Sequence, residues 1–453
     1  MKKLDSRSRQ EYAEHVIDLL QKEEESQFRN QFLELHPTDQ LSIFHTLNQT
    51  ERKRLYAYLK PQEVAEIFQG MEFVEQEWVS RELNDNYIAD MLNDMYSDDV
   101  ADFLGELPEE KRSSILTAMD KEEADDAKEL LSYPEETAGA IMTKEFLAVK
   151  ADNRVNDVIE FLRKEGPDAE TVYYLYVTNQ EDQLVGVVSL RDLIVSPTEE
   201  KVENIMGTRV VSTKVTTDQE EVARLIQRYD LLAAPVVTDD GALVGIVTVD
   251  DVIDIIEEEV TEDIGEISAT RGATDVNLSA FQAAKKRAPW IILLMFFGMI
   301  TAGVIDQFEG TLEEIVILAA FIPLIMDSAG NTGTQSLAVV VRSLATGSFE
   351  KKGLWQTIRR EFSTGVLIGL SCAIVLVGLI TILYGNLVLA GVVAVSIFLS
   401  LSIATVTGAL FPLIINKLKL DPAIASGPFV TTVNDILGLL IYFTIATSLL
   451  MYL

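Results

Sequence analysis

The sequence predicts a multidomain membrane protein: an all-α N-terminal superhelix, a tandem α/β pair, a connecting helical segment and a five-helix transmembrane bundle. Three observations predict it. After Arg287 the composition turns abruptly apolar, and five segments follow, each near the ~20 residues a helix needs to cross a bilayer. Between about 137 and 256 the chain repeats itself: QLVGVVSLRDLI at 183–194 answers ALVGIVTVDDVI at 242–253, offset by 59 residues. Ahead of the repeat, apolar residues fall at helical spacing in EVAEIFQGM, YIADMLNDM and DDVADFLGEL. At 453 residues the chain exceeds one compact core. The expected parts are an acidic helical domain at 1–136, the tandem pair at 137–256, an acidic linker and connecting helix at 257–286, and a membrane domain at 287–453.

In the first part similar helix starts recur at Pro37-Thr-Asp, Pro61-Gln-Glu, Ser97-Asp-Asp and Pro108-Glu-Glu. Proline fits a first helical turn, and acids there suit the helix dipole. A repeated start at irregular spacing suggests a small superhelix. In the second part each copy has an upstream amphipathic helix, then a strand (TVYYLYVT; AAPVVTD), a turn, a strand and a helix. That alternation implies two α/β units about a pseudo-twofold axis. The linker is acidic first (Glu257 to Glu259, Glu262, Asp263) and helix-like later (LSAFQAAKKRAPW).

The spans are expected at 288–306, 314–341, 360–384, 387–415 and 426–452, the second interrupted by the polar, glycine-bearing DSAGNTGTQS. Basic residues cluster before the first span (Lys285, Lys286, Arg287), between the second and third (Arg342, Lys351, Lys352, Arg359, Arg360) and between the fourth and fifth (Lys417, Lys419). The other connections are acidic or neutral. The positive-inside rule then places the N-terminus in the cytoplasm and, after an odd number of spans, the C-terminus outside. The start, MKKLDSRSRQ, has no apolar stretch behind it and does not read as a secretory signal.

Net charge is -34, and residues 1–286 hold nearly all of it, with 62 Asp and Glu against 29 Lys and Arg. Such a surface repels nucleic acid and attracts cations. The single cysteine, Cys372, excludes an intrachain disulfide and a Cys-rich metal site, and the three histidines lie near the N-terminus. No phosphate loop, His-bearing metal motif or Ser-His-Asp set is evident, so no enzyme activity is expected.

The repeat resembles a pair of CBS domains, and the order of parts resembles the MgtE magnesium channel family. The resemblance covers nearly the whole chain. It rests on DAETVYYLYV, GIVTVDDVIDIIEEEVTEDI, AGNTGTQS and LDPAIASGPFVTTVNDILGLLIYF. Ala329 departs from the glycine-rich run that often follows the second-span proline, and Gly427 from the asparagine that some members carry before Pro428. The resemblance implies a homodimer with a helical N domain, a CBS pair, a connecting plug helix and five transmembrane helices, in which cytoplasmic Mg²⁺ closes the pore.

Within the spans as drawn no Lys, Arg or His lies away from the ends, which disfavours an anion pathway and a transition-metal site. The deep ionisable residues are Asp327 and Asp435. Intramembrane charge is costly and normally faces a bundle interior or a wet cavity, which argues against a receptor with inert spans. Thr431 lies one turn before Asp435 and Gly438 about one turn after, and Thr432 and Asn434 widen the polar patch. A twofold dimer would present two facing carboxylates, fitting a small oxygen-preferring ion that keeps its waters. Asp327, Asn331 and Gln335 share one stripe at i, i+4, i+8. They line the same pathway or serve interhelical hydrogen bonding, with Gly330 and Gly333 permitting close packing.

For the sensor, acidic surfaces repel until a divalent cation binds between them. The candidates are Asp98, Asp99 and Asp102 in the N domain and Asp218, Asp230, Asp251 and Asp254 in the CBS pair. Glu259, Glu262 and Asp263 follow in the linker, and Asp421 at the cytoplasmic mouth. High internal Mg²⁺ would compact these parts so that residues about 268–286 block the pore. Ser189 with Asp192, and Thr248 with Asp251, match the G-x-x-[ST]-x-x-D pattern through which CBS pairs bind adenine nucleotides such as ATP. The first copy, with Arg191, is preferred. The expected function is Mg²⁺ import across the plasma membrane. A coupled transporter of Mg²⁺, Mn²⁺ or Co²⁺ driven by protons or Na⁺ is the alternative.

Overall fold

The computed structural model describes residues 6–270, 278–346, 353–418, 422 and 426–449. They form two compact units, Met1–Ile255 and Ile256–Leu453.

The first unit opens with ten helices, α1 (Ser6–Gln21) to α10 (Lys121–Leu130). Three of the four anticipated starts are helix N-termini: Pro37 of α3 (Pro37–Phe44), Pro61 of α5 (Pro61–Gln69) and Ser97 of α8 (Ser97–Glu106). Pro108 is the N-cap of α9 (Glu109–Ala118). Short helices of this kind are marginal alone, and burial of one face holds them. Phe28, Phe32, Phe44, Phe68 and Phe103 anchor a shared core, with Phe68 and Phe103 in edge-to-face contact at 5.0 Å.

Two three-stranded sheets follow, β1 (Ala148–Lys150), β2 (Tyr174–Thr178), β3 (Leu184–Ser189) and β4 (Thr213–Lys214), β5 (Ala233–Val237), β6 (Leu243–Thr248). In each, the first pair is parallel and the second antiparallel. Tyr174 pairs with Ser189 as Ala233 pairs with Thr248, so the 59-residue offset read in the sequence is also the offset of the registers. Tyr176, Ala233, Leu243 and Ile246 form a small core across the two sheets. Helices α11 (Val155–Glu165) and α14 (Gln219–Tyr229) are the equivalent amphipathic helices. The last helix of the pair, α15 (Val249–Ile267), runs without a break through the acidic linker.

In the second unit five helices among the described residues are long and apolar enough to cross a membrane. They are the first span (Ala280–Gln307), the second (Ile322–Ala345, led by a 3₁₀ turn at Val316–Phe321), the third (Leu354–Tyr384), the fourth (Leu387–Lys417) and the fifth (Gly427–Ser448). The fourth is largely buried among its neighbours, whereas the first and third expose Met295, Phe296, Met299, Ile374, Ile382 and Leu383. Such apolar outer faces suit lipid rather than water.

Two details differ from the sequence reading. DSAGNTGTQS does not interrupt the second span but continues its helix. Its glycines are needed for packing: a Cβ on Gly333 would lie 1.9 Å from Asn434 Nδ2, and one on Gly408 would lie 2.2 Å from the Gly333 carbonyl oxygen. Tertiary contact thus outweighs the helix-weakening propensity of glycine. Likewise, residues 280–286 are the first turns of the helix that carries the first span, with Pro289 inside it. Polarity changes at Arg287, but the backbone does not.

Candidate functional site

The second, fourth and fifth spans meet around Gly330, Gly333 and Gly408, which bring backbone close enough for polar side chains to interlock. Thr334 Oγ1 on the second span lies 3.1 Å from Thr431 Oγ1 on the fifth. Thr407 on the fourth donates to Asn434 Oδ1 on the fifth. A Cβ on residue 330 would meet Thr431 Cγ2 at 2.6 Å and Asp435 Oδ1 at 3.2 Å, so Asp435 rests on bare glycine backbone. Its Oδ1 is buried without a hydrogen-bond partner, as is Asn434 Nδ2. Thr432 donates to its own helix at Pro428 O, 2.8 Å away, and keeps only acceptor capacity for anything else.

Asp327, Asn331 and Gln335 form an exposed stripe on the second span, and Asn331 Nδ2 donates to Asp327 Oδ1 at 3.0 Å. Asp327 lies one turn before Gly330, the glycine against which Asp435 Oδ1 packs. Among the described residues neither carboxylate has a basic partner. The sequence reading missed a third intramembrane acid. Glu361 is buried about two turns into the third span's helix. Arg360 Nη2 donates to its Oε1 at 2.7 Å. Ser336 Oγ stands 2.7 Å from its Oε2 and 2.8 Å from the Thr405 carbonyl oxygen, so one hydroxyl proton serves two acceptors in turn. The adjacent arginine was the legible signal.

The cytoplasmic acids separate into those that converge and those that do not. Asp98 is buried on α8, and its Oδ1 has no partner. Burial, then Asp99, Asp251 and Glu170, hold its carboxyl well above the usual range. Burial pushes Asp99 to about 6, against the hydrogen bond from Gln69. Glu170 is pushed up to about 8 by burial and by Asp251, Asp250, Asp99 and Glu145. Asp251 is raised too, chiefly by burial. Glu145 accepts from Ser97 Oγ at 2.9 Å and from the Lys144 amide at 3.1 Å. Neither Glu145 nor Glu170 was anticipated, although Glu170 lies inside DAETVYYLYV.

Among the remaining sensor candidates, Asp254 acts on Asp251 as a like charge from the next turn of α15. Asp218 caps α14 by accepting from the Glu220 amide, and Asp230 ends the same helix in a left-handed conformation. As the caps on either side of the 11 residues of α14 they stand about 18 Å apart at ~1.5 Å per residue. Asp102 and Asp254 are exposed on α8 and α15, and Glu259, Glu262 and Asp263 lie further along α15. Asp421 lies outside the described residues. Among the described residues no three His, Cys, Asp or Glu side chains converge to hold an ion. Of the segment expected to plug the pore, 271–277 lie outside the described residues. The carbonyl of Ile267, at the end of α15, lies 3.0 Å from where a Cβ on Gly427 would stand, at the start of the fifth span.

In the nucleotide motifs, Ser189 Oγ donates to Asp192 at 2.6 Å and closes a capping box. Thr248 donates to Asp251 in the same way. Arg191 is exposed beside the first pair.

Five apolar helices enclosing Asp327 and Asp435, neither with a basic partner among the described residues, joined to a tandem α/β pair and an acidic helical domain, define a multi-pass membrane transport protein for cations. The family profile described as a divalent cation transporter, MgtE, matches residues 322–445. The MgtE intracellular N domain matches 35–136, and CBS domains match 138–197 and 202–258. The magnesium transporter MgtE of Bacillus subtilis (strain 168) is 42% identical over 434 residues, 96% of each chain. That of Thermus thermophilus is 36% identical, covering 96% of this chain and 97% of its own. A crystal structure of the soluble part of a magnesium transporter is 41% identical with a TM-score of 0.54, covering 55% of this chain and 99% of its own. The cytosolic domain of the Mg²⁺ channel MgtE in complex with ATP is 37% identical with a TM-score of 0.51, covering 54% of this chain and 99% of its own. The chain belongs to the MgtE family.

Proposed function

We propose that this protein imports Mg²⁺ across the plasma membrane, as a homodimer with its N-terminus in the cytoplasm and its C-terminus outside, along a pathway lined by the second and fifth spans. The observation that carries the reading is the exposed stripe Asp327–Asn331–Gln335 beside Asp435, whose buried Oδ1 has no partner. A polar, charged face cannot be left against lipid tails, where each unsatisfied group costs several kcal/mol. A second copy facing the first across a twofold axis would cover the stripe and turn it into a wet path with paired carboxylates. Amide, hydroxyl and carboxylate oxygens suit a hydrated Mg²⁺ held through its waters, weakly enough to leave. Thr431 belongs to the same lining, and Thr432 adds an acceptor.

Regulation follows from the acid patch. Asp98, Asp99, Glu170 and Asp251 are held together against their own repulsion, and Mg²⁺ among them, with Asp102, Asp218, Asp230 and Asp254 at outlying positions, would offset it. A spread set of carboxylates fits an ion that keeps part of its water shell. High Mg²⁺ would then hold the end of α15, with Glu259, Glu262 and Asp263, at the start of the fifth span and close the path. Asp421 would add charge at the mouth. A relative's cytosolic domain binds ATP, and here Ser189, Arg191 and Asp192 offer hydroxyl, guanidinium and carboxylate for ribose and phosphate, with Thr248 as the second copy's equivalent. Flux into liposomes holding the purified protein tests the reading. Mg²⁺ uptake should follow membrane voltage without requiring a proton or Na⁺ gradient. Uptake that stops when that gradient is removed would favour the coupled alternative.

A further inference from the structure

We propose that the third and fourth spans hold an anionic glycerophospholipid, with its phosphate on Arg359 and its acyl chains in the groove beside it. The groove has a volume of about 500 Å³ and is lined by Trp355, Ile358, Arg359, Phe362, Ser402, Ile403 and Val406. That volume lies within the roughly 300–1,000 Å³ common for ligand clefts. The third-span residues fall at i, i+3, i+4 and i+7, one face of a helix.

Local packing explains why the groove opens there. At Gly365 and Gly369 the third and fourth spans touch through backbone: a Cβ at 365 would lie 2.9 Å from Leu401 O, and one at 369 would lie 2.8 Å from Phe398 O. Toward the N-terminus of the third span that face is carried on by Phe362, Ile358 and Trp355, whose bulk replaces glycine. The one polar side chain of the fourth span in the lining, Ser402, donates to Phe398 O at 2.7 Å, so the hydroxyl proton is satisfied within its own helix.

The charges are arranged unequally. Arg360 is neutralised by Glu361, but its neighbour Arg359 has no ion-pair or hydrogen-bond partner for its guanidinium among the described residues. The third span has 31 residues, about 46 Å of helix at ~1.5 Å per residue, against ~30 Å of hydrocarbon. Its first turns, with Trp355 and Arg359, therefore reach the headgroup level, where Trp and basic side chains anchor. A guanidinium at that depth, above an apolar cleft, matches a phosphodiester above acyl chains. A second copy meeting this groove with its own groove is a poorer occupant, because the lining holds no acid to pair with Arg359.

Native mass spectrometry of the full-length protein in detergent, with phosphatidylglycerol or phosphatidylcholine of matched chains, tests the proposal. Wild type should retain phosphatidylglycerol preferentially. Arg359→Gln should weaken that retention about fivefold, the effect of one basic residue near an anionic headgroup, and Arg359→Lys should largely preserve it. Val406→Trp should fill the cleft and reduce retention of both lipids. Equal retention of the two lipids by wild type would overturn the proposal, as would phosphatidylglycerol retention unaffected by Arg359→Gln. Disulfide capture of two copies through Ile403→Cys in a Cys372→Ser background would assign the groove to a second copy instead.

Discussion

Replacing Asp98 by Asn should stabilise the cytoplasmic unit in the absence of Mg²⁺ and reduce what Mg²⁺ adds. Asp98 is 7% exposed, its Oδ1 has no partner, and Asp99, Asp251 and Glu170 all act on it as like charges. A buried unsatisfied acceptor costs about 1–3 kcal/mol, and more when charged. Asn keeps the shape, removes the charge and offers two N–H donors to the surrounding carboxylates. The working figure is about 2 kcal/mol, or ~4–8 °C in apparent melting midpoint for a unit of this size. The assay is a thermal melt of the full-length protein in detergent at pH 7.5, with and without Mg²⁺. Wild type should gain more from Mg²⁺ than Asp98→Asn, since a cation has less repulsion left to relieve. A lower metal-free midpoint for the variant, or an equal Mg²⁺ gain in both proteins, would refute the reasoning.

Protons and Mg²⁺ should compete at this patch. With its carboxyl raised from 4.5 to about 8, Glu170 contributes stability that is full below about pH 4.5 and lost as pH rises through 8. For Asp99, raised from 3.8 to about 6, the loss falls between those values. Metal-free protein should therefore melt higher at pH 5 than at pH 8, and Mg²⁺ should stabilise it more at pH 8; thermal melts check both. Gly408→Ala should force a Cβ within 2.2 Å of the Gly333 carbonyl oxygen, destabilise the bundle by about 1–3 kcal/mol and reduce flux, read by melting and liposome uptake. Ser189→Ala should weaken binding in a labelled-ATP titration, whereas Thr248→Ala should leave it largely intact.

The sequence made the architecture legible because its signals are periodic. Helix starts at Pro37, Pro61 and Ser97, the 59-residue repeat and the five apolar segments each follow from spacing that local chemistry enforces. What spacing could not show is how separate segments meet. DSAGNTGTQS reads as an interruption because glycine and polar residues weaken an isolated helix. It is helix here because Asn434, Thr431 and Gly408 pack against it. Glu145 and Glu170 are single acids in loops, and only folding brings their charge towards α8. Helix ends also run past the apolar runs: the third span begins at Leu354 rather than near 360, since interfacial turns stay helical while their side chains are polar or aromatic. Asp435 and the Asp327 stripe were legible for the opposite reason, since charge in an apolar run is conspicuous wherever its partners are.

The most direct test is Mg²⁺ uptake into liposomes by Asp435→Asn, a substitution that keeps the side chain's shape on the bare backbone of Gly330. With insertion and folding verified, uptake should fall by roughly tenfold or more, the factor carried by about 1.4 kcal/mol of lost ion stabilisation. Uptake at the wild-type rate would mean that the ion does not pass this carboxylate, contradicting the pathway along the second and fifth spans.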